Sequence, residues 1–185
     1  EGEINVQSTQ GVGSKFTVTL ILEVDTSPSE VLPTVNLKDT KALVVDDTRI
    51  NRLIIRKILE HLGASVYEAE DGQTGLALVH EHKLMKKPFE MIVLDSRMPG
   101  MDGFTVAEKV QNSDELKGPI MMMLTSDNRP GDLLRSKQLG LKSYLVKPIL
   151  KVELIEAISR ALVNLPKDKP KVITTLTQSD AKLRI

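Results

Sequence analysis

The segment Phe89–Gly103, FEMIVLDSRMPGMDG, constrains the fold more than any other stretch of the chain. Met91–Leu94 is an unbroken apolar run that stops at a carboxylate, Asp95. A loop with Pro99, Gly100 and Gly103 follows, and an amphipathic segment begins at Phe104. A near-continuous apolar run marks a strand covered on both faces, which is a property of parallel sheets. Ligands of such sheets sit beyond the carboxyl ends of the strands, where the pattern places Asp95. A single Asp at a strand end also serves as a turn or cap residue, so its meaning depends on the rest of the chain.

The same pattern recurs from Lys41 onward. Ala42–Val45 is a short apolar strand ending at Asp46 and Asp47, and Thr48 is expected to cap a helix in which Ile50, Ile54, Ile58 and Leu62 recur, with Gly63 as terminator. Ala64–Ala69 reads as a second strand and Asp71–Leu84 as a second helix. After the Met91–Leu94 strand come a helix over about 104–110, a fourth strand ending at Thr125, and a helix starting near Pro130 and stopping at Gly140. SYLV, a fifth strand, ends at Lys147-Pro148, and Val152–Leu162 forms the last helix. Five strands alternating with five helices predict an α/β fold of doubly wound type.

The flanks differ. Residues 1–24 alternate apolar and polar positions around Gly11 and Gly13, which predicts a hairpin. GVGSK lacks the Gly-Lys-Ser/Thr order of a P-loop, and Phe16 stands where a dinucleotide fingerprint needs Gly. Residues 25–38 carry two prolines and little periodicity, as a linker does. Residues 166–185 read as another linker, and Asp180–Ile185 parallels Asp39–Val44 as if entering a second copy. The chain opens at Glu1, inside a strand-like segment, and is expected to be part of a longer protein.

Composition narrows the chemistry. Among 185 residues there is no Cys, which excludes disulfides, zinc–cysteine sites and thiol catalysis and fits a reducing, cytoplasmic setting. The formal charge is zero, so no nucleic-acid or anionic-membrane footprint is implied, and no apolar run is long enough to span a bilayer. His61, His80 and His82 read as solvated helix residues, and Met121–Met123 as core.

The inferred strand ends present Asp46, Asp47, Asp95, Thr125 and Lys147 at one mouth. Crowded carboxylates repel unless a cation neutralises them. Mg²⁺ is held by one or two carboxylates together with phosphate and water. Lys147 supplies a mobile positive charge and Thr125 a hydroxyl. Such a site suits phosphoryl transfer, where positioning and charge neutralisation supply most of the catalysis.

Asp46-Asp47, Asp95 with MPGMDG behind it, Thr125, Tyr144 and Lys147-Pro148 closely resemble the receiver domain of two-component response regulators, over about residues 40–165. The resemblance implies a flavodoxin-like (βα)5 fold with strand order 2-1-3-4-5. It also implies Asp95 as the residue that takes a phosphoryl group from phosphohistidine. Asp47, Asp95 and the Arg97 backbone carbonyl would hold Mg²⁺, with Asp46 acting through water, and Lys147 and Thr125 would hold the aspartyl phosphate. The Lys147–Pro148 bond is expected to be cis. Tyr144 is expected to swing inward when Thr125 turns to the phosphoryl group, remodelling the face of the fourth helix, fifth strand and fifth helix. Arg97 and Asp127 border the hydrolytic path and are expected to pair and hinder water. Ile149 stands where the family often has Phe.

Gly2, Ser8, Gly11, Gly13, Ser14 and Phe16 resemble the closing hairpin of the ATP-binding domain of sensor histidine kinases. The two resemblances together imply a hybrid histidine kinase: residues 1–24 the end of its ATP-binding domain, 25–38 a linker, 39–165 the receiver and 166–185 a further linker. The partners implied are the phosphohistidine of the parent's dimerisation domain and a downstream histidine phosphotransfer protein. Such a fragment is not itself a kinase, and its expected activity is limited to accepting phosphate and slowly losing it. A stand-alone regulator and a non-phosphorylated docking module remain as alternatives. A dehalogenase-type phosphatase fails for want of Asp at position 48, and a flavin binder is disfavoured by two Tyr, three Phe and no Trp.

Overall fold

The structure, a computed structural model, describes residues 2–22, 35–126, 129 and 131–163. In order, its elements are β1 (Gly2–Thr9), β2 (Gly13–Leu20), β3 (Lys41–Val45), α1 (Arg49–His61), β4 (Ser65–Ala69), α2 (Gly72–Leu84), β5 (Met91–Asp95), α3 (Gly103–Gln111), β6 (Ile120–Thr125), α4 (Asp132–Gln138), β7 (Ser143–Val146) and α5 (Lys151–Val163). It divides into two compact units, residues 1–31 and 32–185.

In the larger unit all five strands are parallel, in the order β4-β3-β5-β6-β7. This is the 2-1-3-4-5 order expected of a flavodoxin-like receiver fold. Side chains alternate across the sheet, which explains why the strands read as continuous apolar runs. Ala42, Val44, Met91, Val93, Met122 and Leu124 pack with α1 and α5 on one face. Leu43, Val45, Ile92, Leu94, Met121 and Met123 pack with Val79 of α2 and with α3 on the other.

α1 buries Ile55, Ile58 and Leu59, whereas Ile50 is 56% exposed and Ile54 half-exposed. The expected Ile50–Ile54–Ile58 stripe is therefore only partly a core stripe. A four-residue repeat turns about 40° per step around a helix of 3.6 residues per turn, so Ile50 has rotated away from the sheet. Thr48 holds the N-cap position, but its side chain makes no capping bond. Gly63, at φ 100°, ends the helix as expected. Within the stretch read as linker, Val35 and Leu37 are buried in the core beside α1, and the Leu37 N–H donates to the Leu62 carbonyl at 2.8 Å. α4 begins at Asp132 behind Gly131; Pro130 lies outside the described residues, as do 23–34 and the tail from 164 with its parallel to Asp39–Val44.

His82 departs from the solvated reading. It stacks on Phe89 with centroids 4.4 Å apart and meets the edge of Tyr67 at 4.6 Å, while His61 and His80 are exposed.

In the smaller unit β1 and β2 pair antiparallel, with Ile4 opposite Val18 and Val6 opposite Phe16. These four side chains share one face, and Phe16 is 71% exposed.

Candidate functional site

The site forms where β3, β5, β6 and β7 end. Asp95 closes β5 two residues beyond Val93, and Asp46 follows β3 two residues beyond Val44, so both continue the rows that face α1 and α5. Lys147 follows Leu145 in the same row. Its ammonium Nζ lies 2.7 Å from Asp46 Oδ2 and 3.0 Å from Asp95 Oδ1. Thr125 continues the opposite row, beyond Met121 and Met123, and is fully buried. Its carbonyl accepts from the Lys147 N–H at 2.6 Å, tying the ends of β6 and β7. The Lys147–Pro148 peptide is cis.

Asp46 is wholly buried and heavily partnered. Its Oδ1 accepts from the Thr48 N–H at 2.8 Å and from Asn51 Nδ2 at 3.2 Å, and its backbone carbonyl accepts from Arg52 Nη1 at 2.7 Å. Asp47 is exposed. Burial pushes the Asp95 carboxyl above its ordinary range; Lys147 opposes this, Asp46 adds to it, and the Arg97 N–H opposes it. Asp95 Oδ1 meets the ammonium at ion-pair distance but off hydrogen-bonding geometry, so this buried oxygen has no hydrogen bond.

Asp46, Asp47 and Asp95 each offer an oxygen, and the three lie within 4.8 Å of one another. An all-oxygen, carboxylate-rich set, with one buried oxygen ion-paired but not hydrogen-bonded, suits a hard divalent cation such as Mg²⁺ better than a soft metal.

Around this centre, Asp102 accepts from the Thr105 N–H at 2.7 Å and caps α3. At Gly103 a Cβ would stand 2.1 Å from the Asp95 carbonyl oxygen, so only glycine lets α3 start against the end of β5. Arg97 reaches Asp132 of α4, Nη2 to Oδ2 3.6 Å; Asp127 lies outside the described residues. Tyr144 is half-buried against the α3 side of the sheet, and its buried hydroxyl has no hydrogen-bond partner among the described residues. Asn51, Arg52 and the buried Ser96 hydroxyl were not anticipated from sequence. A polar pair one turn into the helix after Asp46-Asp47 was the available signal, and it reads equally well as a solvated helix face.

A parallel five-stranded sheet with an acid cluster and a lysine at its carboxyl edge defines a class, and comparison with known proteins supplies the family. Residues 42–159 match the response regulator receiver domain family, and the chain belongs to it. It is thus a receiver domain of two-component signalling. The crystal structure of chemotaxis protein CheY4 of Vibrio cholerae aligns with a TM-score of 0.58 and 31% identity, over 66% of this chain and 98% of that one. Virulence sensor protein BvgS of Bordetella bronchiseptica is 30% identical over 183 residues, which cover 89% of this chain and 14% of BvgS. Sensor histidine kinase CheAY of Helicobacter pylori is 31% identical over 144 residues, covering 78% of this chain and 17% of CheAY.

Proposed function

We propose that Asp95 accepts a phosphoryl group from a phosphohistidine, and that the chain relays it as the receiver of a hybrid histidine kinase. The observation that carries the first part is the Lys147 ammonium between Asp46 and Asp95, with Asp47 alongside. A carboxylate oxygen of Asp95 bonds to phosphorus as the phosphorus–nitrogen bond of phosphohistidine breaks, and the imidazole leaves with the bonding pair. Asp47, Asp95 and the Arg97 carbonyl would hold Mg²⁺, and Asp46 would assist through water. The cation supplies neutralisation of the charge that the phosphoryl oxygens carry. Lys147 turns from its two carboxylates to the phosphoryl group, and Thr125 donates its hydroxyl. Tyr144 then sets the face formed by α4, β7 and α5. Arg97 hinders hydrolytic water and prolongs the aspartyl phosphate; Asp127, expected to act with it, lies outside the described residues.

The hybrid-kinase part rests on two supports. The match to BvgS covers more of the chain than residues 42–159. The hairpin carries a one-sided, uncovered apolar face, as expected of a closing hairpin taken with the rest of an ATP-binding domain. On this reading residues 1–24 end that domain, 25–38 link it to the receiver at 39–165, and 166–185 lead onward. The donor is the phosphohistidine of the parent's dimerisation domain, the recipient is a histidine phosphotransfer protein, and the receiver works on the cytoplasmic side. No helix among the described residues is long and apolar enough to cross a membrane. For docking, the half-exposed Ile54 of α1 lines a groove of about 120 Å³ together with Lys147, Pro148 and Ile149. Coverage of nearly the whole of CheY4 favours a second reading, a free-standing regulator.

Intact mass after incubation with Mg²⁺ and a small-molecule phosphodonor tests the site. One added phosphoryl group is expected in the wild type and none in Asp95→Ala or with EDTA. An adduct that survives in Asp95→Ala sinks the assignment. Transfer from the labelled chain to a histidine phosphotransfer protein separates relay from stand-alone regulation.

A further inference from the structure

We infer that Arg52 is a positioning residue for the cation site, acting through the Asp46–Asp47 peptide. The inference rests on the reading of Asp46, Asp47 and Asp95 as that site. β3 loses its ladder at Asp46. The Asp46 N–H still reaches the Ala69 carbonyl of β4 at 3.2 Å, but the Asp46 carbonyl accepts from Arg52 Nη1 at 2.7 Å. A peptide unit is planar, so holding this carbonyl sets the plane from which Asp47 departs. Asp47 needs that help. It is exposed, and its Oδ1 takes only a long bond of 3.3 Å from the neighbouring Thr48 hydroxyl. Asp46, by contrast, is held directly through its carboxylate by Thr48, Asn51 and Lys147.

Arg52 is itself braced. Its side chain is 11% exposed, and its Nε lies 3.9 Å from Glu68 Oε2 on the edge strand β4. Glu68 also meets Arg56 at 3.3 Å, and Arg56 meets Glu60 at 3.7 Å. The guanidinium therefore joins a strand end, a helix and an edge strand at the point where the acidic pair leaves the sheet. Glu60 also meets Lys57 at 3.3 Å, so the network holds three cations and two anions.

The change of charge gives the test a decisive sign. Removing the guanidinium takes one positive charge from near the site, which by charge alone tightens cation binding. Losing the hold on the Asp46 carbonyl loosens it, and partners of this kind shift metal affinity by roughly 10–100-fold. Calorimetric titration of the full chain with MgCl₂ would compare wild type, Arg52→Met and Arg52→Lys. The Met variant keeps the apolar stem, and the Lys variant restores a donor. Unfolding in EDTA, measured in parallel, reads stability apart from affinity. Weakening of Mg²⁺ binding by about tenfold in Arg52→Met, with most of it recovered in Arg52→Lys, is the expected result. Unchanged or tighter binding by a folded Arg52→Met protein overturns the inference while leaving the cation site intact. Failure of the wild type to take up Mg²⁺ overturns the underlying reading and the inference with it. Arg52→Gln replaces the Met variant if that one does not fold, with the same expectation.

Discussion

Asp95 is buried between two charges of opposite sign, and burial shifts its carboxyl toward the protonated form relative to water. Its folded-state pKa therefore lies above that of the unfolded chain, and the folded protein binds the proton more tightly. Stability is greatest below the unfolded pKa, falls as pH rises through the interval up to the folded value, and stays reduced above it. Asp95→Asn removes the charge and keeps the shape. In buffer free of divalent ions it is expected to be more stable than wild type at neutral pH. Urea unfolding across the acid range should show that advantage shrinking as pH falls. A constant difference at every pH would assign it to packing instead. Arg97 offers a second test at this scale. If it hinders water, Arg97→Ala should shorten the aspartyl phosphate lifetime several-fold, read by loss of the phosphoryl mass with time. Acid at a strand end was legible as chemistry because several such ends coincide; the Arg97–Asp132 contact was not, since it joins residues far apart in sequence.

At the scale of elements, the junction of β5 with α3 is the tightest feature of the site. The Asp95 carbonyl occupies the space that a side chain at position 103 would need. Gly103→Ala should destabilise the protein by about 2 kcal/mol through overpacking and displace Asp95, so that thermal stability and phosphoryl uptake fall together. Retention of both would show that α3 can shift without disturbing the strand end. Helix α1 shows how periodicity misleads at this scale. Ile50, Ile54 and Ile58 satisfy a four-residue repeat, but only Ile58 of the three is buried. Ile50 and Ile54 stay on the surface, Ile54 beside Lys147 and Pro148.

For the whole molecule, the boundary of the folded receiver is set by burial rather than by composition. Leu37 is 1% exposed and packs against the α1 side of the sheet, although its neighbourhood reads as linker. Relative to a chain starting at residue 32, one starting at residue 38 should lose about 3 kcal/mol, measurable as a lower urea midpoint. Equal midpoints would show that the segment adds nothing. The cytoplasmic and relay readings also belong to this scale, and the transfer experiment with a phosphotransfer protein bears on the second.

What the sequence determined by itself is the part written in local pattern. The continuous apolar runs of β3, β5 and β6 mark strands covered on both faces, and with β4 and β7 alternating with helices they indicate a doubly wound parallel sheet. Each run ends in a polar residue, so the members of the site followed from the fold. Only the tertiary structure decided how those residues meet. Side-chain alternation puts Asp46, Asp95 and Lys147 in the row facing α1 and α5, and Thr125 and Tyr144 in the other. It also decided which helix residues support them, because Asn51 and Arg52 reach Asp46 only through the docking of α1 on β3. Strand and helix patterns are local and repeat along the chain, whereas these contacts depend on angles between packed elements that no local pattern encodes.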